Sequence, residues 1–263
     1  MIHTKSEQER NGGQQSPTAY HPDTGDDTAE REKVKVKLLI LGGTGLVGQQ
    51  LLAQALAHKD VTQVIAPTRT ALAPHSQLRN PIVDYASLPP DADWWQADAV
   101  LCALGTTIRI AGSQAAFIRI DHDYVIAAAR LAKAAGTKQF VYNSALGAKA
   151  EAGSFYLQVK GQVEDDLRAL EFSALTIVRP SLLSGGNRKD KRPAEAIAIV
   201  LSSLFGKLIP RRYRAVNVAD VAAAMLQAVV TASVTAADNV VILESDQLQG
   251  AMARMTDKSR QVQ

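Results

Sequence analysis

Short apolar segments alternate with longer segments of helical periodicity along most of the chain. The first strand is predicted over Val36 to Leu41, and a glycine-rich turn leads from it into a helix predicted over Gln49 to His58. Further strands are predicted at Val61 to Ala66, Ile82 to Asp84, Ala99 to Ala103, Gln139 to Asn143, Leu175 to Val178 and Val240 to Leu243. Further helices are predicted at Ala115 to Ala135, Phe155 to Leu170, Glu195 to Phe205 and Val218 to Thr231. Because helical crossovers join parallel strands, this alternation predicts an α/β fold with a doubly wound, Rossmann-like parallel sheet.

The two ends of the chain depart from this pattern. Residues 1–33 contain almost no aliphatic side chains, so they cannot bury enough apolar surface to offset the entropy lost on ordering, and we expect a flexible tail. One α/β domain is predicted over residues 34–245, including a small lobe at about 181–217. Residues 246–263 begin amphipathic and are predicted to form a C-terminal helix with a frayed end.

Composition and charge favour small-molecule chemistry. The net charge is +3 with both signs interspersed, which is not the clustered positive surface of a nucleic-acid-binding protein. The single cysteine, Cys102, lies in an apolar run without an activating neighbour, so we expect a buried side chain in a reducing compartment. No apolar run approaches the roughly 20 residues that span a bilayer, and the N-terminus lacks a signal pattern, so a cytoplasmic protein is expected. The segment Ala194 to Pro210 has too thin a polar face for a membrane-surface helix.

The turn after the first strand carries a glycine pattern that suits a dinucleotide. Between a strand and a helix, such glycines permit a tight turn, close approach of a pyrophosphate and close packing of the helix on the sheet. The helix N-terminus adds free N–H groups and a partial positive charge. The candidate cofactor-binding residues here are Gly42, Thr44, Gly45, Leu46, Val47 and Gly48. A glycine turn without a ligand is the alternative, and the combination of strand, spacing and helix argues against it.

The end of the second strand indicates which dinucleotide is preferred. A protein that binds NAD places an acidic side chain there, on the ribose 2′-hydroxyl, whereas this chain has Arg69. A guanidinium suits a phosphate, so Arg69 favours the 2′-phosphate of NADP, with plain surface solvation as the alternative. Asp84 follows the third predicted strand and is assigned to the adenine edge, although an ordinary loop aspartate fits the sequence as well.

A serine, a tyrosine and a lysine form the candidate catalytic set. Ser144 directly follows the strand Gln139 to Asn143, and Tyr156 and Lys160 share one face of the next helix. A phenol is a poor acid or base at neutral pH, but an adjacent ammonium favours the phenolate and lowers the pKa. Tyr156 could then exchange a proton with a carbonyl or alcohol oxygen held by Ser144, while Lys160 anchors the nicotinamide ribose. Tyr156 and Lys160 are thus also cofactor contacts. An exposed Tyr beside a solvated Lys is the alternative for the pair alone.

Several further runs carry a family resemblance. They are Leu101 to Thr107, Ala111 to Ser113, Phe117, Asp121 to Val125, Ser144 to Ala148, Tyr156 to Gly161 and Arg179 with Pro180. Over about Lys37 to Val230, the chain resembles an atypical short-chain dehydrogenase/reductase, and most closely the Tat-interacting-protein oxidoreductase group. That group usually has a second serine where this chain has Asn143, which leaves Ser144 as the matching residue.

The resemblance implies further cofactor contacts. Leu104, Gly105 and Thr106 would line the cofactor near its pyrophosphate and nicotinamide ribose, and Pro180 with Ser181 would lie by the nicotinamide. From the residues alone, Thr106 and its neighbour Thr107 fit either a ligand contact beyond a strand or the cap of the following segment.

No metal site is expected. The chain has no His, Cys, Asp and Glu group with the spacing of a metal centre, and His122, between two aspartates, is typical of a solvated helix face.

Three functional hypotheses follow. The first is an NADP(H)-dependent oxidoreductase that acts on a small carbonyl or alcohol. The second is an NADPH-binding sensor or scaffold with little turnover, against which the intact Ser, Tyr and Lys argue. The third is a nucleotide-sugar epimerase or dehydratase, which needs a larger C-terminal lobe than the sequence after Pro180 provides. The sequence leaves open whether the chain forms a homodimer, since nothing in it locates an interface.

Overall fold

The central strand β1 (Val36–Leu41) explains the layered architecture. In the computed structural model, which describes residues 35–185, 210–230 and 239–261, Leu38 and Ile40 belong to one apolar core and Leu39 and Leu41 to a second. Alternate residues of a strand point to opposite faces of the sheet. A strand that is apolar at every position therefore requires helices on both faces, and the two cores lie on the two sides of the sheet.

Seven parallel strands form the main sheet in the order β3-β2-β1-β4-β5-β6-β9. The strands other than β1 are β2 (Val61–Ile65), β3 (Leu78–Arg79), β4 (Ala99–Cys102), β5 (Gln139–Asn143), β6 (Ala174–Arg179) and β9 (Val240–Glu244). A separate parallel pair consists of β7 (Leu183–Ser184) and β8 (Val216–Asn217). The chain winds outward in one direction from β1 to β3 and in the other from β4 to β9, which confirms the doubly wound, Rossmann-like fold. The order reverses between β1 and β4, where open α/β sheets bind their ligands.

Helices cover both faces of the sheet. The described α-helices are α1 (Leu46–Leu56), α2 (Ile108–Ala111), α3 (Gln114–Ile118), α4 (Tyr124–Ala134), α5 (Phe155–Ala169), α6 (Val218–Val230), α7 (Ser245–Leu248) and α8 (Ala251–Gln261). A π-helical turn, Arg119–Asp123, joins α3 to α4, and 3₁₀ turns lie at Asp93–Trp95 and Arg211–Tyr213. Helices α1 and α6 pack on one face, and α4 and α5 on the other. None of the helices in the described ranges is long and apolar enough to cross a membrane.

Most predicted elements are confirmed to within one residue at each end, and three differ. The strand predicted at Ile82 to Asp84 is wrong: β3 lies earlier, and Ile82 makes only an isolated bridge to Thr68, because the proline before Ile82 has no N–H for a ladder. Helix α1 begins at Leu46 rather than Gln49, and the helix predicted at Ala115 to Ala135 is interrupted by the π-helical turn.

Several predictions concern residues outside the described ranges. They are the N-terminal tail at residues 1–33, the helix at Glu195 to Phe205, the segment Ala194 to Pro210 apart from its last residue, and the final residues of the frayed C-terminus.

The turn from β1 into α1 touches the loop that follows β4. Gly42 has φ +81°, and a Cβ atom placed on it would lie 2.7 Å from the carbonyl carbon of Ala103 and from the nitrogen of Leu104. A Cβ on Gly48 would overlap the carbonyl oxygen of Gly42. Glycine at position 42 lets the turn approach the loop after β4, and glycine at position 48 lets α1 approach the turn itself.

We expect Gly42→Ala to destabilise the fold far more than Gly112→Ala, its matched control. Gly112 has a similar φ of +85° but nothing within 4 Å of an added Cβ, so it tests backbone strain alone. The control should lose about 1 kcal/mol, and Gly42→Ala about 3 kcal/mol or more because a backbone overlap is added to the strain. Denaturant unfolding measures both, and equal losses would contradict the close approach.

Candidate functional site

The N-terminus of α1 has free backbone donors. Its N-cap residue, Gly45, provides no side-chain cap, and the first turn contains no acidic residue. The first backbone bond of the helix runs from the Gln49 N–H to the Gly45 carbonyl at 2.9 Å, so the N–H groups of Leu46, Val47 and Gly48 precede the helical ladder. By contrast, Thr107 and Ser113 cap α2 and α3. The start of α1 therefore fits an anion such as a pyrophosphate.

Arg69 lies beyond the carboxyl end of β2 on a loop that is held in place by Asn80. The Asn80 amide nitrogen donates to the Ala66 carbonyl at 2.5 Å and to the Thr68 hydroxyl at 2.7 Å, and its oxygen accepts the Leu72 N–H at 2.8 Å. The Arg69 side chain is exposed, and within the described part of the chain no carboxylate pairs with it. A fixed loop thus presents an unpaired guanidinium.

Asp84 is exposed and stabilises its own turn. Its Oδ1 accepts the Ala86 N–H at 2.9 Å, and the Ser87 N–H donates to its carbonyl at 3.1 Å. This agrees with the alternative of an ordinary loop aspartate, and its assignment to the adenine edge stays a prediction.

The Lys160 ammonium is buried against two partners that the sequence reasoning did not assign to it. Lys160 is 3% exposed, and Asp121 and Tyr142 are fully buried. Its Nζ lies 3.1 Å from Oδ1 of Asp121 and donates to the Tyr142 hydroxyl at 3.1 Å. The other carboxylate oxygen of Asp121 accepts the backbone N–H of Thr106 at 2.7 Å. Lys160 is therefore joined through Asp121 to the loop after β4.

Burial and charge act on this cluster in opposite directions. Burial by itself would lower the pKa of Lys160, but its interactions with Tyr142, Asp121 and Tyr156 outweigh burial and hold the pKa well above its usual value. Burial raises the pKa of Asp121, while the ammonium of Lys160 and the Thr106 N–H oppose this rise. With an ammonium on one oxygen and an N–H donor on the other, Asp121 has the surroundings of a carboxylate. Lys160 is a fixed cation within this pair.

Tyr156 begins α5 one helical turn before Lys160. It is half-buried, and its ring centroid lies 5.8 Å from that of Phe117 in α3. After Tyr142 and Asp121, Tyr156 also contributes to the raised pKa of Lys160. Its hydroxyl has no hydrogen-bond partner within the described ranges, which leaves it free to bind a ligand. The structure thus brings Tyr156 and Lys160 together as predicted, and the catalytic role of the pair stays a prediction.

Ser144 is engaged by a different network. Its hydroxyl donates to Oε1 of Glu164 at 2.5 Å, and both residues are buried. Glu164 also pairs with Arg179 at 2.5 Å and with Arg168 at 3.3 Å, and Arg179 reaches Glu244 at 3.2 Å. The hydrogen bonds that Arg179 donates to Glu164 raise the pKa of Arg179. The hydroxyl proton of Ser144 is therefore committed to Glu164 rather than to Tyr156.

The remaining predicted contacts lie at the carboxyl edge of the sheet. Leu104 and Thr106 are half-buried and Gly105 is exposed, in the loop between β4 and α2. Pro180 is buried after β6, and the Ser181 hydroxyl donates to the Arg214 carbonyl at 2.5 Å. Their contacts with a cofactor stay predictions.

Two smaller predictions, those for Thr107 and Cys102, have definite outcomes. Thr107 accepts the Ile110 N–H at 3.2 Å and so caps α2, as the capping alternative proposed. Cys102 is fully buried, as predicted. His122 hydrogen-bonds Asp123 and Asp166 at 2.9 Å each, and no group of three or more potential metal ligands occurs among the described residues.

The residues that sequence reasoning missed are Asp121, Tyr142 and Glu164. The solvated helix face was predicted for His122, and its neighbour Asp121 differs from it because the Asp121 side chain is fully buried. A usable signal was its spacing: Phe117, Asp121 and Val125 lie four residues apart and share one buried helix face. Tyr142 and Glu164 carried no local signal, since their partners lie on other elements.

The fold and the glycine turn together define a dinucleotide-binding α/β protein. Residues 42–232 match the model of the NAD(P)H-binding family. The chain belongs to this family.

Relatives confirm the resemblance to the Tat-interacting-protein group. The chain is 36% identical over 186 residues to protein HTATIP2 of Rattus norvegicus, covering 68% of this chain and 75% of the relative. It is 31% identical over 183 residues to the fmp52 protein of Emericella nidulans, covering 64% and 76%. The fungal protein is named mitochondrial, so the cytoplasmic location stays a prediction.

Solved structures agree on the fold. MoeE5 in complex with UDP-glucose and NAD has a TM-score of 0.58 at 18% identity, covering 84% of this chain and 82% of that one. The Bordetella bronchiseptica enzyme WbmH in complex with NAD+ has a TM-score of 0.58 at 16% identity, covering 80% and 75%. At this identity the likeness concerns the Rossmann fold alone.

We expect Glu164→Gln to destabilise the protein by about 2–4 kcal/mol, because it leaves buried charge on Arg179 undercompensated. Asp165→Asn is the matched control: Asp165 also pairs with Arg168, at 2.7 Å, but its side chain is 60% exposed. The control should lose less than about 1 kcal/mol. Denaturant unfolding compares the two, and similar losses would contradict a structural role for the buried network.

Proposed function

We propose that this protein is an NADP(H)-dependent oxidoreductase that transfers a hydride to or from a small carbonyl or alcohol. The observation that carries the proposal is the position of the loop after β4. On one side of this loop lies Gly42, where an added Cβ atom would be 2.7 Å from the loop backbone. On the other side lies Lys160, whose Nζ would be 3.6 Å from a Cβ atom added to Gly105 of the loop. The phosphate-binding turn and the catalytic lysine thus border one short loop.

The residues present fit a dinucleotide. The free N–H groups at the start of α1 suit the pyrophosphate. The absence of Cβ atoms lets Gly42 pack against the backbone of Ala103 and lets Gly48 pack against Gly42, so the turn stays tight. Leu104, Gly105 and Thr106 would continue the cradle, and Pro180 and Ser181 would border the nicotinamide. When bound, the nicotinamide supplies or accepts the hydride.

Arg69 supports the choice of NADP over NAD. Its guanidinium is exposed, on a loop that Asn80 fixes, and no acidic side chain is available there for a ribose 2′-hydroxyl. A planar cation of this kind binds a phosphate through two parallel hydrogen bonds. We assign Arg69 to the 2′-phosphate.

Tyr156 is the proposed general acid and base. Its hydroxyl is unengaged within the described residues, and Lys160 follows it one turn later on α5. In reduction Tyr156 gives its proton to the carbonyl oxygen, and in oxidation it takes the proton of the alcohol. Lys160 remains protonated throughout, so its contribution is electrostatic and orienting.

An NADPH-binding sensor with little turnover is the second candidate, and one observation favours it. The Ser144 hydroxyl donates to Glu164 at 2.5 Å, so in this arrangement it can accept a hydrogen bond from an alcohol but does not donate one to a carbonyl oxygen. Turnover with a panel of small carbonyls and alcohols separates the two functions. The homodimer and the cytoplasmic location stay predictions.

We expect Arg69→Gln to weaken NADPH binding by about ten-fold to a hundred-fold, the value of one charge-assisted contact, and to leave NADH binding unchanged. Calorimetric titration with both nucleotides measures this. Arg130→Gln removes the same charge from the exposed face of α4 and should change neither affinity. An unchanged preference in Arg69→Gln would contradict the assignment to NADP.

We expect Tyr156→Phe to keep NADPH affinity within about three-fold and to lower kcat by about a hundred-fold or more, because the proton donor is lost. Steady-state kinetics and nucleotide titration give the two numbers. Tyr124→Phe removes a phenol that stacks on Tyr85 with centroids 6.0 Å apart and should retain turnover. Full activity in Tyr156→Phe would exclude the proton-transfer role.

A further inference from the structure

The loop after β2 is held on both sides of Arg69 by one side chain. Before Arg69, the Ala66 carbonyl and the Thr68 hydroxyl accept hydrogen bonds from the Asn80 amide nitrogen at 2.5 and 2.7 Å. After Arg69, the Leu72 N–H donates to the amide oxygen of Asn80 at 2.8 Å. Asn80 thus closes the loop around the arginine, and both of its N–H donors are used within the chain.

Thr68, the residue before Arg69, has further contacts that fix its backbone. It is 3% exposed, and its hydroxyl donates to the Thr70 carbonyl at 2.7 Å. Its N–H donates to the Pro81 carbonyl at 3.0 Å, and its carbonyl accepts the Val83 N–H at 2.9 Å. The residues on either side of Arg69 are therefore fixed by hydrogen bonds of the chain itself.

Tyr85 links this loop to the glycine turn. Its side chain is buried, and its hydroxyl donates to the Pro67 carbonyl at 2.8 Å. Burial raises the pKa of Tyr85, and the backbone of Gly42 opposes this rise, so the hydroxyl lies beside the first residue of the glycine turn. The loop that carries Arg69 thus has a defined position relative to the turn that would hold the pyrophosphate.

The guanidinium of Arg69 is left available by these contacts. The side chain is exposed, and its backbone neighbours are fixed while the side chain itself has no carboxylate partner within the described ranges. A binding group on a loop that is already ordered loses less conformational freedom when its ligand arrives. Arg69 has the arrangement of a preorganised phosphate contact.

We propose that Asn80 is a positioning residue for nucleotide selectivity. By closing the loop it holds Arg69 where the guanidinium meets the 2′-phosphate, and it thereby increases the affinity for NADPH and not that for NADH. The inference rests on the proposed function, which assigns Arg69 to that phosphate. Because the amide donors of Asn80 are occupied by the loop, its effect on the nucleotide passes through Arg69.

Gln77 provides a matched control. Its amide nitrogen donates to the Val61 carbonyl at 3.0 Å, so it also ties the segment after β2 to a backbone carbonyl, but at the amino end of that strand. Asn80→Ala and Gln77→Ala each remove an amide that bonds the backbone, and only the first loosens the loop of Arg69. A loss of stability is expected for both and does not distinguish them, whereas a change in nucleotide selectivity does.

The experiment titrates wild type, Asn80→Ala and Gln77→Ala with NADPH and NADH by calorimetry. Adenosine 2′,5′-bisphosphate and 5′-AMP are titrated as fragments that contain only the adenosine end. We expect Asn80→Ala to weaken the binding of NADPH and of the bisphosphate by about ten-fold, because the loop must then be ordered on binding, and to keep NADH and 5′-AMP within about two-fold. Gln77→Ala should keep all four affinities within about two-fold.

A double variant shows whether Asn80 acts through Arg69. In Arg69→Gln the phosphate contact is already lost, so adding Asn80→Ala should change the NADPH affinity by no more than about two-fold. An additive loss, equal in the two backgrounds, would mean that Asn80 acts on the nucleotide by another route and would overturn the inference.

Equal losses for NADPH and NADH in Asn80→Ala, or no loss for either, would also overturn it. If Asn80→Ala does not fold, Thr68→Val makes the same comparison, because it removes the hydroxyl that joins Asn80 to Thr70 and keeps a side chain of similar volume. Failure of the proposed function is distinguishable: wild type would then prefer NADPH without turnover, and the titrations would still decide the role of Asn80. A wild type without preference for NADPH would overturn both the assignment of Arg69 and this inference.

Discussion

The burial of the Lys160 ammonium is the constraint on which the site depends. A cation removed from water is tolerated only with a charged partner and with hydrogen bonds for its remaining protons. Asp121 supplies the charge and Tyr142 the hydrogen bond. Because Asp121 also holds the Thr106 N–H, the same pair fixes the loop that borders the glycine turn. One buried ion pair thus holds both the lysine and the loop after β4.

A second network of side chains links the carboxyl ends of β5, β6 and β9. Glu164 joins Ser144 in the loop after β5 to Arg179 at the end of β6, and Arg179 continues to Glu244 at the end of β9. Charge-assisted hydrogen bonds thus link the carboxyl ends of three neighbouring strands. The backbone hydrogen bonds of the sheet stop at these ends. The Ser144 hydroxyl, which the sequence predicts to hold the substrate oxygen, donates its hydrogen bond to Glu164 in this network. It therefore cannot donate the same hydrogen bond to a substrate.

The family match and the relatives show which family the chain belongs to, whereas the solved structures show only that the fold is the same. The match to the NAD(P)H-binding family covers residues 42–232, which contain the glycine turn and the helix that carries Tyr156 and Lys160. The likeness to HTATIP2 covers 68% of the chain. The solved structures with bound NAD share the Rossmann fold at under 20% identity. A fold of this kind supports many reactions. The cofactor binds in turns at the carboxyl edge of the sheet, while the substrate binds to longer loops and lobes that vary between proteins.

The sequence by itself determined the fold and the position of the glycine turn. Apolar runs predicted β1, β4 and β5 to within one residue, since the period of buried side chains is local information. The glycines at 42 and 48 predicted a tight turn, because a Cβ atom at either position would overlap neighbouring backbone atoms. The partners of Lys160 and Ser144 were decided only by the tertiary structure. Asp121, Tyr142 and Glu164 reach them from different elements, and a local pattern does not state which faces of those elements meet.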